Sequence, residues 1–426
     1  MQGKYEENAV RKMQHIVDYA YRNFPLYAER MSKKGIDLRH IQKLDDLKKL
    51  PFVSKAELQK VQFEDILKCA SDKLYYIGFT SGSTAAPMPL YCTSRDFEIW
   101  VKNTATGLLM GGVTKEDTVQ LTFGQWGLGM YLFLEALRTL GASAIPVNID
   151  VLALPELLDY MGRFRVSAIV CFPSIALELC RALEEKQSAE NLRLRRVFLL
   201  GESCSESGRE RIGKSLAAEV YNIYGSMEVG MIASECKRHE GLHILANQVI
   251  VEIVDPDTGE VVAPGNAGEV VVTTLWKEAL PLIRYRTGDI ASMIDGECSC
   301  GLKWPRISEI VGRLSDFICI GSTKIHPVAI EDSILSTSYR IHNFQIVISR
   351  EGERDKMTLI LESSEPVGKA EELKEDLLEK ICNLNEDLGS LVKANIVAKP
   401  EVRFVKPGSL RMSSGKIKKL LDLRAG

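Results

Sequence analysis

Few stretches of this chain could carry chemistry, and the densest is Phe79-Thr80-Ser81-Gly82-Ser83-Thr84-Ala85-Ala86-Pro87. It sets four hydroxyls around a glycine. A glycine there lets backbone N–H groups converge on an anion, and the hydroxyls add donors to phosphate oxygens. The G-x-x-x-x-G-K-[ST] spacing of a Walker loop is absent, and taken alone the stretch serves equally well as a surface turn. Further along, Asn222-Ile223-Tyr224-Gly225-Ser226-Met227-Glu228 places an aromatic ring and a glycine before a carboxylate. That order suits stacking a base and holding a metal, or a strand-end turn with a solvated glutamate. In Tyr285-Arg286-Thr287-Gly288-Asp289 a carboxylate follows a glycine turn and could accept from two ribose hydroxyls, or be a plain turn aspartate. Gly312-Arg313-Leu314-Ser315-Asp316 comes next, followed by Gly321. Near the end, Ser413-Ser414-Gly415-Lys416-Ile417 presents a lysine on a glycine-containing loop or simply in a solvated basic tail.

The cysteines divide into two kinds. Most of the ten stand singly in apolar runs, where reduced and buried is the ordinary state. Cys298 and Cys300 in "GECSCG", with Cys236 and His243 in "ECKRHEGLH", offer three thiolates and an imidazole, a closed tetrahedral zinc set and therefore a structural one. His239 is a rival to His243, and reduced thiols on two loops are the plainer alternative.

The elements that must position these residues follow from apolar spacing. Val10, Met13, Val17, Ala20 and Phe24 recur at intervals of three and four, which predicts an amphipathic helix over 5–24. From about 70 to 225, buried strands at Ser143–Val147, Ala168–Phe172 and Val197–Leu200 alternate with helices at Tyr131–Leu140, Leu154–Phe164 and Ser174–Leu183. This is the pattern of an α/β fold with a helix-covered parallel sheet. Residues 247–295 turn β-rich. There "VIVEIVDPDTGEVV" reads as a hairpin with two arms around Asp255-Pro256-Asp257-Thr258-Gly259. After Gly312-Arg313 the pattern becomes α+β, with helices at Glu331–Leu335 and Ala370–Leu384 and strands at Phe344–Ile348, Thr358–Glu362 and Glu401–Val405. The expected division is a large unit over 1–312 and a small one over 313–426. A net charge of −3 leaves no basic footprint for nucleic acid. No run of 18 apolar residues suggests a membrane partner, and the charged start lacks a secretory core, so the expected location is cytoplasmic.

In order and separation, these five motifs resemble the core motifs of the AMP-forming (adenylating) ligase superfamily. "NFPLY…LPFVSKAEL", Phe172-Pro173-Ser174 and "EALPLIRYRTGDI" are similar to its phenylacetate–coenzyme A ligase branch, and the likeness covers essentially the whole chain. The resemblance implies an architecture of a large domain with mixed or parallel sheets plus a β-rich subdomain, and a small mobile C-terminal domain. It implies ATP-dependent activation of a carboxylic acid to an acyl-adenylate, then transfer to a thiol, with ATP, Mg²⁺ and coenzyme A taking part. Thr80, Ser81, Gly82, Ser83 and Thr84 would cradle phosphates, and Glu228 with Thr84 would hold Mg²⁺. Gly201 and Glu202 would line one side of the adenine, with Asn222, Ile223, Tyr224, Gly225 and Ser226 on the other. Asp289 would take the ribose, Arg313 the ribose or phosphate, and Lys416 the meeting carboxylate and α-phosphate. The acid pocket would draw on Gln125, Trp126, Phe172 and Gly201, whose aromatic rings suit a flat apolar acid or else belong to the core. Many members of this branch have a structural zinc site where Cys298 and Cys300 fall.

The sequence departs from the family pattern at Ala85-Ala86, where glycine and lysine are usual, and at the hinge, where Ser315 replaces an acidic residue or lysine. A carrier-protein thiol or an amine remains an alternative acceptor, and a catalytically silent nucleotide-binding protein is a third reading. A homodimer is compatible with all of them.

Overall fold

The computed structural model describes residues 2–69, 74–79, 88–123, 127–148, 154–186, 192–337, 341–363, 367–383, 386–406, 409–410 and 419–424. The chain opens with helix α1 (Gln2–Asn23), whose Met13, Val17 and Ala20 are buried as their spacing predicts. Pro25 then starts α2 (Pro25–Lys33), which is followed by the short α3 (Lys55–Leu58) and α4 (Phe63–Cys69). Strands β1 (Leu74–Phe79) and β2 (Pro89–Thr93) pair antiparallel, with Phe79 opposite Pro89. They bracket the hydroxyl-rich segment, of which residues 80–87 lie outside the described residues. Thr93 and Asp96 cap α5 (Ser94–Met110) reciprocally, and the Asp96 carboxylate also accepts the N–H groups of Glu278 and Ala279.

A doubly wound unit follows: β3 (Thr118–Phe123), α6 (Leu128–Leu140), β4 (Ser143–Asn148), α7 (Leu154–Arg163), β5 (Ala168–Cys171), α8 (Pro173–Lys186), β6 (Arg196–Leu200), α9 (Glu206–Leu216) and β7 (Glu219–Ser226). Strands β4, β3, β5, β6 and β7 lie parallel in that order. The chain then turns antiparallel through β8 (Gly230–Glu235), β9 (Leu242–Ile244), β10 (Val249–Val254), β11 (Ala267–Thr274), β12 (Tyr285–Ile294), β13 (Arg306–Ile307) and β14 (Gly312–Arg313).

The α/β architecture is the expected one, and its parallel and β-rich parts are continuous. The β-rich part is hydrogen-bonded to the parallel part through β7 and β8, giving one mixed sheet of 12 strands among the described residues. The expected hairpin forms, with a short second arm. β10 pairs with β11, and the second arm joins β10 through the bridge Val254–Val261, with the Asp255 N–H donating to the Glu260 carbonyl and the Val262 N–H to the Ile253 carbonyl. The turn between them is real: Asp255 Oδ1 accepts from the N–H groups of Asp257 and Thr258, and Gly259 has φ +74. Pairing of the second arm stops at Val262, and the long ladder of β10 is the one with β11.

Beyond β14 come β15 (Ile318–Ile320), β16 (Thr323–Ile325), α10 (Pro327–Leu335), β17 (Ile341–Glu351), β18 (Arg354–Ser363), α11 (Val367–Asn383), α12 (Glu386–Lys393), β19 (Glu401–Val405) and β20 (Leu420–Asp422). Their four-stranded sheet has the order β19, β18, β17, β20. It encloses an apolar cluster, from Ile318 to Val402, that shares no member with the clusters of the preceding part. Contact between the two parts is polar and tight. The Ser207 N–H at the start of α9 donates to Asp332 Oδ1 on α10 at 2.9 Å. At Gly208 an added Cβ would lie 3.2 Å from Leu335, so a small residue is needed for α9 and α10 to approach.

Candidate active site and thiolate cluster

The carboxyl ends of parallel strands are where open α/β sheets bind ligands, and the site residues named from the sequence collect at that end. Gly201 ends β6 with φ +75, and an added Cβ there would stand 2.9 Å from the Phe172 ring. Phe172, at the end of β5, packs edge-on against Phe123 at 6.0 Å between centroids. Glu202 Oε2 accepts the Ser174 N–H at 3.1 Å, tying this wall to the start of α8.

β7 supplies the opposite wall. Its turn into β8 is tight: an added Cβ on Gly225 would meet the Gly230 carbonyl at 2.5 Å, and Ser226 Oγ accepts from the Val229 N–H. This turn holds Glu228, only 7 % exposed.

Tyr224 brings β7 to β12, its hydroxyl donating to Asp289 Oδ2 at 2.8 Å. The other oxygen of Asp289 accepts from Arg313 Nε at 2.9 Å. β14 pairs with β12 so that Arg313 faces Asp289 in the ladder. Burial pushes the Asp289 carboxyl above its ordinary range, and the Arg313 guanidinium opposes that shift. Tyr224, Asp289 and Arg313 are thus one hydrogen-bonded unit.

Glu228 has two lysine partners that the sequence reading did not name. Lys55 Nζ lies 3.0 Å from its carboxylate, and Lys277 Nζ donates to its main-chain carbonyl at 2.5 Å. Lys277 is buried, and burial lowers its pKa. Lys55 reaches the site because its segment is laced to β12: Val53 N–H donates to the Arg284 carbonyl and Arg286 N–H to the Val53 carbonyl. The only signal in the sequence is a cation in the first turn of α3, which runs against the helix dipole.

The second cluster lies at the far side of the sheet. Cys236 follows β8, His243 lies on β9, and Cys298 and Cys300 lie in the connection from β12 to β13. β13 pairs with β9, with Arg306 opposite His243, so the ladder itself closes the two loops on each other. The four ligand atoms lie within 4.8 Å of one another. Cys236 Sγ and Cys298 Sγ are 3.7 Å apart, and Cys300 Sγ is 3.4 Å from His243 Nε2. A tetrahedral zinc with ordinary bond lengths has S–S edges of about 3.8 Å and S–N edges of about 3.5 Å. Burial pushes the Cys298 thiol up to about 12 and holds the His243 imidazole towards its neutral form. Three thiolates here would need a cation to sustain them, and the donor set fits zinc. His239 does not join them. It lies 4.7 Å ring to ring from Tyr221, with Nδ1 at 2.9 Å from Arg209.

With this geometry in hand, comparison with known proteins gives a consistent result. The family profile described as AMP-binding enzyme matches residues 27–276, and that of the AMP-binding enzyme C-terminal domain matches residues 322–424. The chain belongs to the AMP-binding enzyme family. Within the family it is 30 % identical to a phenylacetate-coenzyme A ligase of Thermus thermophilus, over 97 % of this chain and 95 % of that one. Its fold is similar to that of a 2-hydroxyisobutyryl-CoA ligase in the postadenylation state, with a TM-score of 0.87 at 21 % identity, covering 98 % of this chain and 89 % of that one. The same ligase in its thioesterification state gives a TM-score of 0.68 at 21 % identity, covering 100 % and 91 %.

Several residues named from the sequence lie outside the described residues of this family member: Thr80, Ser81, Gly82, Ser83, Thr84, Gln125, Trp126 and Lys416. Among the described residues no helix is long and apolar enough to cross a membrane.

Proposed function

We propose that this protein joins a carboxylic acid to coenzyme A at the expense of ATP. A carboxylate oxygen attacks the α-phosphorus and pyrophosphate leaves. The thiol sulfur of coenzyme A then attacks the acyl carbon and AMP leaves. The observation that carries this reading is the convergence of Tyr224, Asp289 and Arg313 with Glu228 at the carboxyl ends of the sheet, in a chain of the AMP-binding enzyme family.

In this reading Asp289 accepts from the ribose hydroxyls, its carboxylate already aimed by Tyr224 and Arg313. Asn222, Ile223 and Tyr224, with Gly225 and Ser226 in the turn beyond, face the adenine against Gly201 and Glu202. Two anions must meet for the first bond to form, so the protein's task is positioning and neutralisation. Lys55 beside Glu228 brings a cation to the phosphate side, where Ala85-Ala86 lacks one. Lys416 is proposed to bridge the carboxylate and the α-phosphate. Glu228 with Thr84 would hold magnesium, which takes one or two carboxylates plus substrate phosphates and adds charge neutralisation. Cys236, His243, Cys298 and Cys300 would hold a structural zinc.

The acid is proposed to be aromatic. The Phe172–Phe123 wall and the name of the Thermus thermophilus relative support this. The proposed division is 1–312 and 313–426, with the small part turning between the two half-reactions. Its self-contained core and the TM-score of 0.87 against the postadenylation structure support the arrangement seen here as the adenylation one. ATP–pyrophosphate exchange over aromatic, fatty and amino acids is the test, followed by thioester formation with coenzyme A. Exchange with an aryl acid and its CoA thioester as product are expected. Exchange with no acid would leave only a nucleotide-binding protein.

A further inference from the structure

A chain of charged side chains behind the nucleotide wall ends on Asn222. Arg209, on α9, grips the buried Glu235 with two parallel bonds of 3.0 Å, the directional form of an arginine–carboxylate contact. Its guanidinium also donates to the Val220 carbonyl at 2.9 Å and contacts Glu309 at short range. Both carboxylates then act on one residue. Glu235 Oε2 accepts the Asn222 main-chain N–H at 2.7 Å, and Glu309 Oε1 accepts from Asn222 Nδ2 at 2.6 Å.

An asparagine amide has an acceptor end and a donor end of nearly the same shape. A carboxylate paired with a guanidinium can only accept, so Glu309 admits only the NH₂ end. The amide oxygen is thereby left over as the acceptor.

We infer that Glu309, held by Arg209, is a positioning residue for nucleobase selectivity: it turns the Asn222 amide so that its oxygen is offered to the base. That acceptor matches the exocyclic amino group of a 6-aminopurine and opposes the carbonyl of a 6-oxopurine. The inference rests on the proposed reading of Asn222 as a wall of the base site. Glu309 sits on the connection from β13 to β14 and never needs to touch the nucleotide itself. Sequence spacing gives no hint of it, since Arg209, Asn222, Glu235 and Glu309 are scattered over a hundred residues and joined only by the fold.

The test compares ATP with its 6-oxo analogue ITP in the full chain, for the unaltered protein, E309A and E309Q. Both kcat and KM are read from pyrophosphate exchange, and Kd from direct nucleotide titration. In E309A the KM and Kd for ATP are expected to rise about ten-fold, the loss of one bond to a charged group. Values for ITP should hold or improve, and kcat should change little. E309Q must still present an oxygen to Arg209, so it should keep the preference for ATP. E309D, one methylene shorter, carries the same expectation as E309A should that variant fold poorly. Equal weakening of ATP and ITP, or an unchanged ratio, would make Glu309 a brace for its loop and overturn the inference. The titration does not depend on turnover. A protein that prefers ATP in binding, loses that preference in E309A and shows no exchange would overturn the ligase reading and leave this one standing.

Discussion

A carboxylate as buried as Glu228 needs a cation beside it, and here Lys55 stands 3.0 Å away. Two predictions follow from that pairing. Glu228→Gln removes the charge that would attract magnesium, so half-saturating Mg²⁺ in the exchange assay should rise roughly ten-fold, equivalent to about 1.4 kcal/mol. Thermal unfolding should move little, because the amide keeps the shape. An unchanged Mg²⁺ titration would remove Glu228 from the metal site. Lys55→Met should weaken ATP through KM, again by about ten-fold, with little effect on the KM for the acid. Equal effects on both would make Lys55 a partner for Glu228 and nothing more. Residues such as Tyr224, Asp289 and Arg313 were legible because each lies in a short motif with its own glycine. Lys55 and Lys277 were not, because their relation to Glu228 exists only once residues 51–55 are laced to 284–286 and β11 has run back beside the β7–β8 turn.

At the scale of elements, the cysteine–histidine cluster shows what a ladder can do. Three of its four residues lie in loops, and the two-residue strand β13, paired to β9, sets their spacing. Arg306, on that strand, donates to the Gly296 carbonyl at 3.1 Å and to the Glu240 carbonyl, joining the two loops a second time. Protein purified without chelator should contain about one zinc per chain, a closed set taking one metal. Cys298→Ser should lower both the metal content and the midpoint of thermal unfolding. Metal analysis finding none would leave three reduced thiols and an imidazole in a polar brace. Here the residue types were readable in the sequence, whereas the choice of His243 over His239 was decided by strand pairing. The doubly wound pattern from 118 to 226 was equally readable, because buried parallel strands are unbroken apolar runs. The hairpin at 249–262 shows the limit: its turn signal marks where the chain reverses, not which strand supplies the longer ladder, which here is β11.

Across the whole molecule, one of the bonds by which the two parts meet is testable as a latch. Asp332 accepts from the first turn of α9, where a carboxylate is favoured by the helix dipole. Asp332→Ala should therefore slow acyl-adenylate formation about three- to ten-fold, the cost of one helix-cap bond, while thioester formation from a supplied acyl-adenylate stays the same or speeds up. Loss of both steps together would show that the residue serves folding. Lys416→Ala should cost the first step far more, ~10²–10³-fold, and spare the second; no loss in either step would return that lysine to solvent. The self-contained core from Ile318 to Val402 has a consequence for inheritance as well as for motion. A segment that carries its own core and its own sheet can be exchanged between relatives as one piece. The cut belongs between Gly312 and Phe317, where the two-residue strand β14 and the Arg313–Asp289 pair tie the chain to β12. In the proposed reading, grafting there transplants Lys416 and leaves the acid pocket of the recipient untouched, so the choice of acid and the timing of the two half-reactions can evolve separately.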